Sequence, residues 1–343
     1  MGDVQDLVLH PRILTAARKA KLHRYEEVLR FSPADLERLT HLSARDVGHL
    51  VREVSEAVRH RIHAATALQL LLGDCPAELK VKFLSLGCPV LDEFLRGGVP
   101  CQGLVEISGE SSAGKTQFGL QLCLTVQLPE KWGGLNAGAV YICTEDAFPS
   151  KRLAQMAQQF PTRALAPAEV TKKIRFSDQI FVEHTADKDQ LSKCIQSRLP
   201  LLLERGVVKL IVIDSITALF RGEYESRETA RRAKDLQSLG TQLRKVSQKY
   251  NVPVVCINQV SAVVGKRRGN GNISSSQKVI PALGLVWSSL VTTRLMVSRT
   301  EHVVQCADGS PAVVRSLEVM FSPYLPNTPS YYIVDAQGVK GLR

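Results

Sequence analysis

The residues most able to do chemistry in this 343-residue chain lie in one glycine-rich run, Gly109 to Thr116. The run reads Gly-Glu-Ser-Ser-Ala-Gly-Lys-Thr and fits the phosphate-binding pattern G-x-x-x-x-G-K-[ST] at every fixed position. In such a run glycines let the backbone fold around phosphate oxygens, and the N-terminus of the following helix faces the anion. Lys115 is expected to reach the terminal phosphates and Thr116 to ligate Mg²⁺. The run therefore predicts a site for a nucleoside triphosphate with Mg²⁺.

Asp214 is the second candidate, because it closes an aliphatic run that reads Leu-Ile-Val-Ile-Asp. Many buried strands end in aspartate, so this pattern alone is weak. Its position about 100 residues after the phosphate-binding run favours a role in holding the metal or a metal-bound water. We therefore predict that Thr116 and Asp214 form the metal side of the site.

Polar groups close two further predicted strands. Glu145 follows Val-Tyr-Ile-Cys-Thr, and the pair Asn258-Gln259 closes the run that begins at Pro253. Parallel-sheet enzymes gather their chemistry at the carboxyl ends of strands, so Glu145 could orient or deprotonate a water that attacks a phosphate. Capping of the next helix is the alternative role for Glu145. The amide pair is placed to sense the phosphate and to pass its state to the loop that follows.

The elements that must position these residues begin at about residue 81, where short β-branched runs alternate with helical stretches. Apolar runs without polar alternation, joined by helices, are typical of a parallel sheet covered on both faces. The predicted strands of this sheet are Leu104–Ser108, Ala139–Cys143, Ile180–Glu183, Leu210–Ile213 and Pro253–Asn258. Three later runs predict an antiparallel edge: Thr292–Ser298, Ser316–Phe321 and Tyr331–Val334. The predicted fold class is therefore α/β with a mostly parallel sheet.

The first 60 residues predict a small all-α domain. Ser32-Pro33 places a cap residue before a proline at the first helical position. Ser43-x-x-Asp46 resembles a capping box. Residues 61–80 predict a linker, so we expect a helical domain at 1–60, the linker, and a core at 81–343.

The positive charge of the chain is concentrated in one block. The formal net charge is +11, and residues 221–300 contribute +10 of it, with 14 Lys and Arg against 4 Asp and Glu. This block includes a glycine- and serine-rich loop at 265–276 that we expect to be mobile. Local charge of this sign favours an anionic polymer as partner. Part of it is the solvated side of a helix whose apolar face is Leu236, Leu239, Leu243 and Val246.

Composition excludes several protein classes. No run of about 18 uninterrupted apolar residues is present, which argues against a transmembrane helix. The start, Met1–Asp6, is acidic and lacks the basic and apolar regions of a secretory signal. The eight cysteines form no C-x-x-C pair and have no histidine at metal-ligand spacing. They predict reduced, mostly buried thiols in the cytosol or the nucleus.

Five segments together carry a resemblance to a known family. They are Gly109–Thr116, Tyr141-Ile-Cys-Thr-Glu-Asp-Ala-Phe148 with Arg152, Leu210–Ser215, Asn258-Gln259 and Thr292-Thr-Arg-Leu295. These segments resemble the core of the RecA/RadA-type recombinases over about residues 80–343. The first 60 residues resemble the small helical domain of eukaryotic and archaeal members. The resemblance implies a RecA-like ATPase core, ATP-dependent work on DNA in homologous recombination, and a location in the nucleus, with some of the protein in the cytoplasm.

The resemblance also implies roles for single residues. Glu145 would be the catalytic glutamate, Gln259 the γ-phosphate sensor and Arg152 a contact to the adenine, with Lys115 at the reacting phosphate. The implied ATP-binding residues are Gly109, Glu110, Ser111, Ser112, Ala113, Gly114, Lys115, Thr116, Gln117 and Arg152. Loops at about 221–232 and 260–280 would face DNA. Their implied DNA contacts are Arg227, Arg231, Lys266, Arg267 and Arg268.

Partners follow from the same resemblance, because members of this family bind nucleotide near a subunit boundary and paralogues act in hetero-oligomers. The implied partners are single-stranded or branched DNA, the recombinase paralogue designated C in a heterodimer, and the main strand-exchange recombinase.

The chain also departs from the family pattern. The linker reads Ile62-His-Ala-Ala65 where filament-forming members present Phe-x-x-Ala. In this oligomerisation segment of Ile62 and Ala65, Ile62 replaces the aromatic ring, so burial of the anchor is worth less by an amount on the order of 1 kcal/mol. The other departures are Asp146 beside Glu145, Ser289 in place of a frequent His, and a missing hairpin glycine at His41-Leu42-Ser43. Together they favour a specialised partner subunit over a recombinase that forms long filaments.

Three functions stay open on the sequence alone. The first is an ATP-binding DNA-repair subunit with weak DNA-dependent ATPase turnover that assists the recombinase. The second is a scaffold subunit that uses ATP as glue between subunits and hardly hydrolyses it. The third is a P-loop motor or kinase acting on small substrates or proteins, against which the local positive charge speaks. Asp146 and Ile62 favour the second function, in which ATP holds subunits together, with modest ATP turnover.

Overall fold

The computed structural model describes residues 2–61, 65–76, 79–163, 166–221, 224, 228–262, 279–306 and 309–343. The chain separates into two compact units, Met1–Lys80 and Val81–Arg343.

The first unit is built from helices that are set by local capping. They are α1 (Pro11–Lys19), α2 (Tyr25–Leu29), α3 (Pro33–Thr40), α4 (Ala44–Arg61) and α5 (Ala67–Leu72). Ser32 caps α3 by accepting a hydrogen bond from the Asp35 backbone N–H at 3.2 Å, as the Ser-Pro pair predicts. Ser43 likewise accepts from the Asp46 N–H at 3.2 Å. The apolar faces of α1 to α4 meet in a core of their own.

The second unit is organised around a nine-stranded sheet. Its strands are β3 (Leu104–Gly109), β4 (Gly138–Cys143), β5 (Ile180–His184), β6 (Val208–Asp214), β7 (Val254–Asn258), β10 (Thr293–Gln305), β11 (Pro311–Phe321), β12 (Pro329–Asp335) and β13 (Gly338–Leu342). The spatial order is β13-β12-β11-β10-β3-β7-β6-β4-β5. The strands from β10 to β5 pair in parallel, and β10 to β13 pair antiparallel. Two small ladders, β1 (Phe83–Leu84) with β2 (Val99–Pro100) and β8 (Val260–Ala262) with β9 (Val279–Pro281), stand beside it.

Helices cover both faces of this sheet. They are α6 (Pro89–Phe94), α7 (Lys115–Thr125), α8 (Ser150–Arg163), α9 (Ala168–Thr171), α10 (Lys188–Lys193), α11 (Leu199–Glu204), α12 (Thr229–Tyr250) and α13 (Gly284–Ser288). On one face Phe118 of α7 packs with Tyr141 and Tyr332. On the other face Leu236 of α12 packs with Trp287 and Val254. Two apolar layers on one sheet confirm the predicted parallel α/β architecture.

All of the predicted strands are present, but several begin or end at residues other than the predicted ones. The predicted apolar face of α12 is buried, as its spacing indicates. β10 runs beyond its predicted segment into mostly polar residues, and β11 begins five residues before its predicted start, because their hairpin ladder continues from Arg299 through Val303 to Gln305. β13 was missed, since Gly-Val-Lys-Gly-Leu has little β propensity and is held by its pairing with β12.

The eight cysteines are all free thiols, and six of them are buried. In the part of the chain that the structure describes, no helix is long and apolar enough to cross a membrane.

Candidate nucleotide-binding site

The glycine-rich run forms a loop between β3 and α7, in the central part of the sheet. A Cβ atom on Gly109 would stand 2.2 Å from the carbonyl oxygen of Val297, so no side chain fits where β3 runs beside β10. Gly114, the N-cap residue just before α7, has a φ of 102°, a conformation that favours glycine. The two fixed glycines of the motif therefore let the loop turn tightly into the N-terminus of α7.

Lys115 bends back over this loop. Its Nζ donates to the carbonyl oxygens of Gly109 at 2.8 Å and Glu110 at 2.6 Å. Burial lowers the pKa of Lys115, and the negative charges of Asp214, Glu110 and Glu145 oppose that change. The ammonium group thus lies among backbone acceptors at the mouth of an anion site, where phosphate oxygens can take over those hydrogen bonds.

Asp214 lies at the end of β6, opposite Thr116 at the start of α7. One carboxylate oxygen, Oδ2, accepts from the Thr116 hydroxyl at 2.7 Å and from the Tyr141 hydroxyl at 2.6 Å. Burial first, and the Asp214 charge next, raise the pKa of Tyr141, so its phenol stays a donor. The predicted metal pair is therefore adjacent, and Tyr141 is a third member that sequence reasoning missed.

Glu145 and Gln259 meet across the same edge of the sheet. The Gln259 Nε2 donates to Glu145 Oε2 at 3.0 Å, and the Ser215 hydroxyl donates to the same oxygen at 3.1 Å. Arg221 approaches the other oxygen, with Nη1 to Oε1 at 3.6 Å. These contacts turn the Glu145 carboxylate toward the strand ends of β6 and β7. Glu145 thus lies together with Gln259 and Ser215 at the strand ends, and its catalytic role stays a prediction.

Except for the buried Tyr141, these groups line one cleft of about 1100 Å³. At its other end Arg152 is fixed by hydrogen bonds from Nε to Gln117 Oε1 at 2.7 Å and from Nη2 to the Asp335 carbonyl at 2.6 Å. Burial lowers the pKa of Arg152, and Asp335 opposes the shift. The carboxylate of Glu145 and the amide of Gln259 thus lie at one end of the cleft, and the planar guanidinium of Arg152 lies at the other.

Most of the predicted site residues line this cleft. Those that do are Gly109, Glu110, Ser111, Ser112, Gly114, Lys115, Thr116, Gln117, Glu145, Arg152, Asp214 and Gln259. Ala113 does not contribute a side chain, because it is fully buried and its carbonyl accepts from the Tyr332 hydroxyl at 2.6 Å. The prediction of Ala113 as a contact therefore applies to its backbone alone.

The predicted DNA and linker residues are placed only in part. Arg227, Lys266, Arg267, Arg268 and Ile62 lie outside the described residues. Arg231 is exposed at the start of α12 and pairs with Glu228 at 2.9 Å. Ala65 is half-buried, just before α5, and Ser289 and Asp146 are exposed.

Two basic residues of the cleft, Arg221 and Arg315, were not predicted as part of the nucleotide site. Arg221 follows β6 and reaches Glu145, although its position suggested the DNA-facing loop. Arg315 extends from β11, and its Nε donates to the Ser112 carbonyl at 3.4 Å. Arg315 lies about 200 residues after the loop that it contacts, so only the antiparallel edge of the sheet brings the two together.

The donor set suits a triphosphate with a magnesium ion. Backbone N–H groups at a helix start and an ammonium group bind phosphate, and a hydroxyl with a carboxylate are the oxygen ligands that Mg²⁺ prefers. Lys115, Thr116 and Asp214 supply this set. Thr116 is hydrogen-bonded to Asp214, and Lys115 is hydrogen-bonded to the phosphate-binding loop.

Comparison with known proteins places both units in described families. The Rad51 family profile matches residues 78–342, and the profile of the XRCC3/RpoA-like, helix-hairpin-helix domain matches residues 4–58. DNA repair protein XRCC3 from Mus musculus and its counterpart from Bos taurus are each 46% identical over 344 residues, covering 99% of this chain and 98% of the relative. DNA repair protein rhp57 from Schizosaccharomyces pombe is 30% identical over 344 residues, with 91% of each chain covered.

The similarity to one paralogue is also visible in short segments. Leu84–Asp92, Ser111–Gln117 and Gly138–Pro149 resemble X-ray repair cross-complementing protein three, the protein abbreviated XRCC3. The full-length matches to the mouse and cattle proteins of that name confirm this interpretation.

Proposed function

The chain belongs to the Rad51 family, and on that premise we propose that it is an ATP-binding subunit acting on DNA in repair by homologous recombination. The observation that carries the proposal is the group formed by Lys115, Thr116 and Asp214 at the phosphate-binding loop. Its relatives named DNA repair proteins support the repair role. We place its action in the nucleus.

The residues of the cleft would hold ATP and Mg²⁺ in defined ways. The loop N–H groups and Lys115 would bind the phosphates, Thr116 and Asp214 would hold the ion, and Arg152 would lie against the base. Bound Mg²⁺ supplies the positive charge that a phosphoryl group needs during transfer. Tyr141 keeps Asp214 oriented by its hydrogen bond of 2.6 Å.

Turnover would depend on Glu145, which we propose as the residue that orients the attacking water. Both of its carboxylate oxygens already have partners, Gln259 and Ser215 on one and Arg221 near the other. A water can be oriented by Oε1, because a carboxylate oxygen accepts two hydrogen bonds and Arg221 approaches this one only to 3.6 Å. The second candidate, a subunit that keeps ATP as glue at an interface, is favoured by Asp146, a second carboxylate beside Glu145.

Exposed apolar side chains support an assembly partner. The helix α5 buries none of its residues, and Leu71 and Leu72 are 83% and 71% exposed. Exposed leucines grouped on one short helix mark interaction surfaces more often than free surface. We propose the recombinase paralogue designated C as this partner, with Ile62 and Ala65 in the contact and the main strand-exchange recombinase acting downstream.

DNA would be bound by the basic block at 221–300, which carries most of the net charge. Phosphate contacts by Lys and Arg supply affinity without sequence preference. We propose Arg227, Arg231, Lys266, Arg267 and Arg268 as contacts to single-stranded or branched DNA.

The decisive test is ATP binding by Lys115→Ala in the full chain. We expect a loss of affinity of at least about tenfold, because a charged contact to the terminal phosphates contributes about 1.5–3 kcal/mol. Lys193→Ala removes an exposed lysine at the end of α10 and serves as the matched control. Unchanged ATP affinity in Lys115→Ala would refute the site assignment.

A further inference from the structure

A buried carboxylate, Glu106, stands in the middle of β3, three residues before the phosphate-binding loop begins. Its side chain is 0% exposed and has three donors. Oε1 accepts from the Asn258 amide and from the Trp287 indole N–H, the latter at 3.1 Å, and Oε2 accepts from the Arg294 Nε. Glu106 belongs to no motif of the sequence, and it lines no part of the cleft.

One branch of these contacts leads to the nucleotide side of the sheet. The Thr217 hydroxyl donates to Asn258 Oδ1, and the Thr217 oxygen accepts from the backbone N–H of Gln259 at 2.9 Å. Gln259 in turn donates to Glu145 at 3.0 Å. The backbone N–H of Gln259, the predicted sensor, is thus connected to Glu106 through the side chains of Thr217 and Asn258.

The other branch leads to α13. Trp287 is fully buried, and Arg294 donates from Nη1 to the Ser288 hydroxyl at 2.8 Å. α13 follows β9, which pairs with β8 directly after Gln259, and the Ala282 N–H donates to the Gln259 carbonyl at 3.0 Å. In the sequence, β8 ends before and β9 begins after the predicted DNA-contacting residues Lys266, Arg267 and Arg268. Glu106 therefore contacts Asn258, on the branch toward Gln259, and Trp287 of α13, which follows the predicted DNA segment in the sequence.

Stability alone does not account for this choice of residue. A buried ion pair loses hydration on folding, and apolar residues of the same volume often serve as well. A pair with Arg294 alone would need a single carboxylate oxygen, yet the other oxygen is directed at the neutral donors of Asn258 and Trp287. A buried charge with several fixed partners instead selects one arrangement of the elements that carry those partners.

We propose that Glu106 is a positioning residue that links the γ-phosphate sensor Gln259 to α13, so that nucleotide state is coupled through one buried ion to the β8–β9 ladder and α13, the described elements next to the predicted DNA residues in the sequence. The inference rests on the proposed function, because it assumes that the cleft binds ATP. It deepens that function by naming the connection between its two ligands.

The experiment measures how well the full chain distinguishes a triphosphate from a diphosphate. Affinities for Mg²⁺–ATPγS and Mg²⁺–ADP are determined, and their ratio reports the contact of Gln259 with the γ-phosphate. In Glu106→Gln the ratio is expected to fall about threefold to tenfold, the effect of misplacing one hydrogen bond. ADP affinity is expected to stay near that of wild type, because Lys115 and the loop are untouched.

Further variants separate positioning from loss of structure. Thr217→Val keeps the side-chain volume but breaks the connection to Gln259, so it should lower the ratio even if Glu106→Gln folds poorly. Ser247→Ala removes another buried hydroxyl, one that donates to Gly103 at the opposite end of the strands, and should lower the melting temperature without changing the ratio. In a Gln259→Ala background, Glu106→Gln should have no additional effect on the ratio.

A spectroscopic readout follows the second branch. With Trp132→Phe, Trp287 is the remaining tryptophan of the chain. Its emission should change on addition of ATPγS and less on addition of ADP, and Glu106→Gln should remove that difference.

The outcomes distinguish the two claims. If the wild-type chain binds neither nucleotide, the proposed function fails. If wild type prefers ATPγS and folded Glu106→Gln and Thr217→Val show the same preference, the proposed function stands and the positioning role is refuted. A wild-type chain that binds both nucleotides equally also refutes it, since no sensor signal then exists to transmit.

Discussion

Replacing Tyr141 by Phe tests how the metal side of the cleft is held together. The exchange removes one hydroxyl and keeps the ring, which packs edge-on against Phe148 with centroids 5.1 Å apart. The lost group donates to Asp214 Oδ2 at 2.6 Å, the same oxygen that accepts from Thr116. When the Thr116 hydroxyl turns to a metal ion, Tyr141 is the donor that still orients Asp214.

The size of the effect follows from the kind of hydrogen bond. A neutral donor to a carboxylate contributes about 1.5–3 kcal/mol, and water can restore part of this because Asp214 is only half-buried and lines the cleft. We therefore expect a cost of about 1.4 kcal/mol, which is a tenfold higher Mg²⁺ concentration for half-maximal ATP binding. ATP binding in the absence of Mg²⁺ should change little. Because burial raises the pKa of Tyr141, ionisation of its phenol should not alter the wild-type Mg²⁺ requirement at neutral or mildly alkaline pH.

The assay is a Mg²⁺ titration at fixed ATP, monitored by a fluorescent nucleotide. Tyr250→Phe is the matched control, because it deletes a hydroxyl that donates to Glu204 at 3.0 Å on the exposed surface. A Tyr141→Phe protein with the Mg²⁺ requirement of wild type would refute the reasoning. Equal losses with and without Mg²⁺ would show that the exchange damages the loop and not the metal side.

Other predictions concern turnover, DNA and assembly. Glu145→Gln should keep ATP binding and lose DNA-stimulated hydrolysis, measured by phosphate release with the presumed partner; turnover that responds to neither DNA nor the exchange would favour ATP as glue. Neutralising the three bases at 266–268 should lower the slope of log affinity against log salt for single-stranded DNA by about 2; an unchanged slope would assign these bases to solubility. Ile62→Phe should strengthen self-association in light scattering, because a larger ring buries more apolar area, whereas an unaltered molar mass would exclude the linker contact.

The fold was predictable where one local pattern decides the structure. The glycine run between an apolar strand and an apolar helix fixed the order of β3, loop and α7, and caps such as Ser32 marked helix starts. β13 was not predictable, because its glycines weaken any strand signal and its pairing with β12 decides its conformation. The extent of β10 likewise depends on a hairpin partner and not on its own residues.

The site was predictable for residues that close parallel strands. Asp214, Glu145 and Gln259 follow β6, β4 and β7, and a parallel sheet brings such ends to one edge. Tyr141, Arg315 and Glu106 could not be found in this way. Their roles depend on which way a side chain points within a strand and on partners about 70 to 200 residues away in the chain.

One measurement tests the central claim, that this is an ATP-binding subunit acting on DNA, most directly. The affinity of the full chain for a single-stranded oligonucleotide is measured without nucleotide and with Mg²⁺–ATPγS, for wild type and for Lys115→Ala. The account predicts that ATPγS changes the DNA affinity of wild type and has no effect on Lys115→Ala. A DNA affinity that is the same in all four conditions, or a response to ATPγS that survives in Lys115→Ala, would contradict it.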